Sequence, residues 1–219
     1  MKKHGTGVSV SQRIGMSLIR GGKEITRRMD RAFRVLAGKK VGGVQFAGEF
    51  RYTLLDKDGN EKASGVFNNG VTNEGLDRIL NTMFDGTTQI GAGAWYIGLI
   101  SATSFSALAA GDTYDSHSGW LEAGDASPDT APDYTGDRKA WDPAASTAQS
   151  SSNAATVDFA MTESGTVKGI FLCSVETKGD ATAGANNVLW ATGLFPGGDQ
   201  AVVNGDTLKI TYTVNASAA

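Results

Sequence analysis

The spacing of hydrophobic and polar positions changes along the chain. Over residues 24–37, Ile25, Met29, Ala32, Phe33 and Leu36 recur at i, i+4, i+7, i+8 and i+11, with Arg27, Arg28, Arg31 and Arg34 on the other faces. This pattern predicts a short basic amphipathic helix that Gly38 ends. A helix this short is marginal by itself and needs a surface to lie on. Residues 1–22 mix Gly, Ser, Lys and short apolar residues without a sustained period, as in an arm that orders only against a partner.

From about residue 43 the period becomes two. In VQFAGEFRYTLLD, Phe46, Phe50, Tyr52 and Leu54 alternate with Gln45, Glu49, Arg51 and Thr53, which predicts a half-buried strand. DKDGN then forms a turn and EKASGVFN returns as the hairpin partner. TNEGLDRILNTMFDG restores the helical period, with Leu76, Ile79, Leu80, Met83 and Phe84 on one stripe, Thr72 or Asn73 as cap, Glu74 in the first turn and Gly86 past the end. The stripe predicts a helix that lays this face on the core. AWYIGLIS is a nearly continuous apolar run, suited to a central strand. ATVDFAMT (Val157, Phe159 and Met161 inward), TVKGIFLCSV, NNVLWATGLF (Val188, Trp190 and Leu194 on one face) and TLKITYTV (Leu208, Ile210, Tyr212 and Val214 inward) supply further strands. About seven strands and one internal helix predict a mainly β fold, an antiparallel β-sandwich or open barrel, with a jelly roll among the topologies allowed. No internal repeat is present, which excludes a solenoid.

Between the predicted strands, residues 101–152 form an excursion rich in Ser, Ala, Gly, Asp and Pro, far longer than the connections usual in compact domains. Such a segment suits functional surface or subunit contact. The organisation is therefore a basic N-terminal arm, 1–40, and a β-sandwich domain, 41–219, carrying this excursion.

Charge separates the same two parts. Residues 1–40 hold eleven Lys and Arg against Glu24 and Asp30, a balance of +9; the nine basic and twenty-one acidic residues of 41–219 give −12, and the whole chain is −3. The N-terminus has no apolar run suited to a signal peptide, and no later stretch approaches a membrane span. Cytoplasmic synthesis, or use in a particle assembled in the cytoplasm, is expected. Cys173 is the sole cysteine, which excludes an intrachain disulfide framework and a thiolate metal cluster.

Candidate chemistry is sparse. DKDGNE (Asp56 to Glu61) superficially resembles a calcium loop, but Gly59 falls at the fourth position instead of the sixth and the flanks alternate like strands, so a polar hairpin turn is the better reading. The excursion interleaves Asp112, Asp115, His117, Glu122, Asp125, Asp129, Asp133, Asp137 and Asp142 with Tyr114, Trp120, Tyr134 and Trp141. Carboxylates beside aromatic platforms would serve a glycan site, a glycosidase pair or a divalent cation. The simpler alternative is that the acids keep the excursion soluble while the aromatics pin it to the sandwich. Tyr114, His117, Trp120, Tyr134 and Trp141 are carried forward as a candidate contact surface. No nucleophile elbow accompanies His4 or His117, no glycine-rich stretch has phosphate-loop context, and Cys173 lies in an apolar strand. No catalytic residue, metal or cofactor is expected. The basic segment offers more: Ile25, Met29, Phe33 and Leu36 suit a groove on a protein, while Arg27, Arg28, Arg31 and Arg34 suit an acidic surface or nucleic-acid phosphates. The arm lacks the tryptophans that commonly anchor membrane-surface helices, so no membrane partner is expected.

NGVTNEGLDRILNTMFDG, WYIGLI, FSALAAGDTYDSHSGWLE, DRKAWDP, VKGIFL, VLWATGLF and GDTLKITYTV, spread in order over about residues 68–214, resemble a family of small virion structural proteins of tailed bacteriophages. The resemblance implies a β-rich, oligomeric particle component without enzymatic activity or cofactor: a head-decoration or cement protein, or a neck or tail-associated one. Its partners would be other virion proteins, either capsid or portal and neck proteins, and it would be assembled in the host cytoplasm. The family supplies no catalytic residue, and residues 1–40 lie outside the resemblance. A carbohydrate-binding module using Trp120, Tyr134 and Trp141 is the alternative from another functional class.

Overall fold

In the computed structural model the described residues are 43–126 and 129–218. The expected basic helix, with Ile25, Arg27, Arg28, Met29, Arg31, Phe33, Arg34 and Leu36, lies outside them. Within Gln45–Ser217 the first hairpin joins β1 (Val44–Leu55) to β2 (Glu61–Val71). The polar turn forms because the Asp56 carboxylate accepts the backbone N–H groups of Asp58 at 2.9 Å and Asn60 at 2.8 Å, while Gly59 takes φ +84°. The Asn60 side chain also donates to Asp56, and these bonds hold the Asp56 carboxyl below its ordinary pKa. The bonds are internal to the turn and strands flank it, which is hairpin rather than calcium-loop geometry.

Helix α1 (Asn73–Phe84) follows, then β3 (Tyr96–Ser101), β4 (Lys139–Ala140), β5 (Ser150–Ser152), β6 (Val157–Ala160), β7 (Gly165–Cys173), β8 (Leu189–Leu194), β9 (Gln200–Val202) and β10 (Thr207–Ala218). The strands form a curled sheet in the order β4-β3-β7-β8-β2-β1-β10-β5, with β6 also on β10 and β9 on β7. All of its strand pairings are antiparallel. The protein is thus mainly β, sandwich-like, with one helix among the described residues. Strand β2 bends the sheet around: Gly48–Leu55 of β1 lie along most of it, whereas its last residues, Gly70 and Val71, pair with β8.

Periodicity explains where the core sits. In β10, Leu208, Ile210 and Tyr212 are fully buried and alternate with half-buried Thr207, Lys209 and Thr211. The Tyr212 ring lies 4.4 Å from that of Phe50, and its hydroxyl accepts the Trp190 indole N–H at 2.9 Å. Strand β7 is buried on both faces. Ile170 and Leu172 enter the main core with Ile97 and Leu99, and Phe171 and Cys173 enter a second cluster with Ile100, Tyr114, Trp120 and Leu189. This double burial is why YIGLIS and GIFLC read as continuous apolar runs. In β8, Leu194 is exposed and Phe195 turns inward instead, so the single inward face expected for Val188, Trp190 and Leu194 holds only for the first two.

Helix α1 has the expected cap, with Thr72 Oγ1 accepting the Gly75 N–H at 3.0 Å, but not the expected orientation. Its buried residues are Gly75 and Arg78, whereas Leu76, Leu80, Met83 and Phe84 are 40, 54, 68 and 78% exposed and only Ile79 is half-buried. Polar groups hold it in this pose. Glu74 accepts the N–H of Leu189 at 2.6 Å and of Tyr114 at 2.9 Å, and Arg78 donates to Ala185 O at 3.0 Å and Asn186 Oδ1 at 3.1 Å. Gly75 permits the approach, since a Cβ there would stand 2.8 Å from the Trp190 carbonyl oxygen. Gly75→Val should therefore destabilise by about 1–3 kcal/mol through overpacking. Leu80→Ser should stay within about 0.5 kcal/mol as a surface change. Denaturant midpoints will show which face of the helix is structural.

Candidate functional site

The excursion is bound to the sheet at both of its edges. Residues 121–123 run beside β3, with the Ser101 N–H donating to Leu121 O at 2.9 Å and the Ala123 N–H to Leu99 O at 2.8 Å. The Thr135 N–H donates to Ala160 O at 2.9 Å, and the Thr162 N–H to Asp133 O at 3.0 Å. Edge backbone groups that would otherwise invite another strand are thus engaged within the chain.

At its centre lies a buried ion pair that ties the excursion to the β7–β8 connection. Glu122 and Arg138 are 5 and 4% exposed, and two parallel bonds join them, Nε to Oε1 at 2.9 Å and Nη2 to Oε2 at 2.7 Å. Arg138 Nη1 also donates to the Tyr114 hydroxyl at 2.9 Å and Val175 O at 3.0 Å, and Nη2 to Asp180 O at 2.9 Å. All five guanidinium protons have an acceptor. Glu122 accepts the Gly179 N–H at 2.7 Å as well. Gly98 makes room, because a Cβ there would meet the Phe171 ring at 2.2 Å and Glu122 Oε1 at 3.0 Å. Burial opposes the charge on Arg138, but the Glu122 hydrogen bonds outweigh it and raise the guanidinium pKa above its usual value.

Burial pushes the Tyr114 phenol up to about 12 and the Cys173 thiol up to about 11, so both are neutral at physiological pH and Cys173 is not a reactive thiolate. A raised folded-state pKa means that the stability linked to Tyr114 is fully present below pH 10 and lost as pH rises towards 12. Tyr114→Phe should flatten the alkaline limb of the stability curve in that window, measured by urea unfolding between pH 9 and 12.

These contacts correct the expectation of an aromatic contact surface. Tyr114, Trp120, Tyr134 and Trp141 are 1–6% exposed and face inward. Trp120 donates to Asp112 at 3.0 Å, Trp141 donates to Tyr212 O at 3.0 Å, and Tyr134 meets Phe159 edge-on at 4.9 Å. Half-buried His117 stacks on Trp120 at 3.9 Å. The aromatics pin the excursion and form no sugar platform, so the carbohydrate-binding alternative loses its residues. The cavity beside the ion pair, about 40 Å³, holds no more than about three waters. The aspartates also have local roles: Asp133 pairs with Lys178 and Asp137 accepts the Lys178 N–H. Among the described residues no group of three or more His, Cys, Asp or Glu is placed to hold a metal ion, and no helix is long and apolar enough to cross a membrane.

The sequence reading did not single out Arg138. Its signal was present, since Arg138 and Lys139 are the only basic residues between 101 and 152, amid eight acidic ones. A single arginine inside an acidic, aromatic-rich excursion is a candidate for a buried pair.

Among the described residues, a cluster of large apolar side chains is left open on α1. Leu76, Leu80, Met83 and Phe84 are exposed, and Met83 reaches a groove of about 210 Å³ whose other lining residues are Ile79, Ile90, Trp95 and Trp190 with the polar Arg78, Thr82 and Gln89. Asp77 and Asp85, both exposed, lie on the same helix and its C-cap. This is an apolar ridge and groove with acidic neighbours, a surface suited to a basic amphipathic segment. Comparison with family models, curated proteins and solved structures found no match to the chain.

Proposed function

We propose that this protein is a structural component of a tailed-phage virion, a capsid decoration or cement protein that holds neighbouring subunits through its basic N-terminal arm. The observation that carries the reading is the apolar face of α1. The helix is fastened by Glu74, Gly75 and Arg78 and leaves four large apolar side chains in water, which favours a role in which another protein covers them. The ordered sequence blocks over residues 68–214 point to the virion in particular. The division into a +9 segment and a −12 remainder supplies electrostatic attraction between copies or towards another shell protein.

Quantitative gels of purified particles test this directly. Hundreds of copies per particle are expected for shell decoration. A dozen or fewer would move the protein to the neck or tail, where the arm would face a portal or the genome, and absence from particles would overturn the virion reading.

A further inference from the structure

The position of α1 raises a narrower question than where the protein works: what covers Leu76, Leu80, Met83 and Phe84. At about 100° per residue these four side chains span one arc of the helix, and Ile79 continues that arc down to the groove floored by Trp95 and Trp190. The arc is laterally displaced from the Gly75–Arg78 face that sits on β8, so it can take a second helix lying alongside α1 without disturbing the fold. Asp77, beside Phe84 around the helix, gives this face an acidic rim, and neither it nor Asp85 at the C-cap has an ion-pair partner within 4 Å among the described residues.

We propose that the occupant is residues 24–37 of a second copy of this chain. The proposal rests on the reading of the arm as an assembly clamp and gives that clamp its receptor. Two complementarities support it. The apolar positions match in period: Ile25, Met29, Phe33 and Leu36 run at i, i+4, i+8 and i+11, against Leu76, Leu80 and Met83 at i, i+4 and i+7. Side-by-side helices bury such stripes in each other's grooves. The charges match in sign: Arg27, Arg28, Arg31 and Arg34 outnumber Glu24 and Asp30 in the segment, whereas the exposed charged residues of α1 and its cap are Asp77 and Asp85, Glu74 and Arg78 both being engaged inward with the fold. A symmetric pairing of α1 with α1 would instead place like acidic rims together. Because the segment of one copy lands on the helix of the next, the contact is heterologous and builds rings or larger arrays, in keeping with a repeated shell component.

Disulfide trapping on the full-length protein provides the test. Cys173 is buried and its thiol is neutral, so it does not compete. Phe33→Cys and Leu80→Cys proteins are prepared separately, mixed under mild oxidation, and the cross-linked peptides identified by mass spectrometry. A disulfide between position 33 of one copy and position 80 of another is expected to predominate. Leu80→Glu, on an exposed site, and Phe33→Glu should each weaken self-association at least tenfold in sedimentation equilibrium. Added salt should weaken the unmodified protein's self-association, and Asp77→Lys should diminish that salt dependence. Predominant 80–80 disulfides would instead assign the face to an α1–α1 dimer, and a 33–80 link confined to the monomer of a doubly substituted Phe33→Cys, Leu80→Cys protein would make the contact one within a chain. Self-association indifferent to Leu80→Glu would leave the face unused between copies. Each of these three results overturns the proposal. The virion reading fails separately, by absence of the protein from particles, and survives if Leu80→Glu protein is incorporated normally.

Discussion

Arg138→Met is expected to destabilise the protein by about 3–5 kcal/mol, a large share of the 5–15 kcal/mol that separates folded from unfolded states in ordinary domains. The substitution keeps much of the aliphatic volume but leaves the Glu122 carboxylate, 5% exposed, with the Gly179 N–H and the Tyr134 hydroxyl, at 3.4 Å, as its remaining donors and no positive charge beside it. It also takes a donor from the Tyr114 hydroxyl, Val175 O and Asp180 O. A buried charge without its partner is the costly state, more so than the absence of the pair. Arg138→Met combined with Glu122→Leu should accordingly be more stable than Arg138→Met alone, though below the unmodified protein, because Val175 O and Asp180 O still lack the guanidinium. Chemical denaturation of the two single variants and the double variant measures the coupling. A loss below about 1 kcal/mol for Arg138→Met would mean that water enters and solvates Glu122, and the pair would then not be the anchor of the excursion.

Trp120→Ala should cost a similar amount, about 3–5 kcal/mol, by opening a cavity between the excursion and the outer face of β7. The indole is 1% exposed, 5.2 Å from the Phe171 ring and stacked under His117, and its N–H is bonded to Asp112. Its loss should be local in character. Residues 101–123 cover the second cluster, so hydrogen exchange should accelerate there while β1, β10 and the Phe50–Tyr212 stack keep their protection. Uniform acceleration across both regions would show that the excursion and the sheet unfold as one unit. If glycan binding were ever detected, this variant would also reveal whether Trp120 takes part by direct contact or through the position of the excursion.

The regular elements were largely legible. Alternation located β1, β6 and β10, and the polar DKDGN after β1 located β2 as its hairpin partner for a local reason: Asp56 bonds the backbone two and four residues ahead. The short strands β4, β5 and β9, two or three residues each, were not legible. Pairing with a distant strand creates them, and no period can be read from so few positions. The candidate site divided in the same way. The excursion was recognisable by length and composition, but aromatics among aspartates have the same sequence pattern whether they face a ligand or the core.

What the sequence by itself determined is the set of local preferences: where strands and the helix form, that Thr72 or Asn73 caps α1, and that a basic segment precedes an acidic remainder. Only the tertiary structure decided which apolar stripe is core. By period alone Leu76, Leu80, Met83 and Phe84 belonged inside, yet Gly75 lets α1 approach Trp190, and Glu74 and Arg78 find their hydrogen-bond partners only in that pose. The physical reason is that an amphipathic pattern specifies that a face needs covering and carries no information about what covers it. Long-range polar contacts turned α1 so that the face remained outside, and the same kind of contact, Arg138 reaching Glu122, Val175 and Asp180, turned the aromatics of the excursion in.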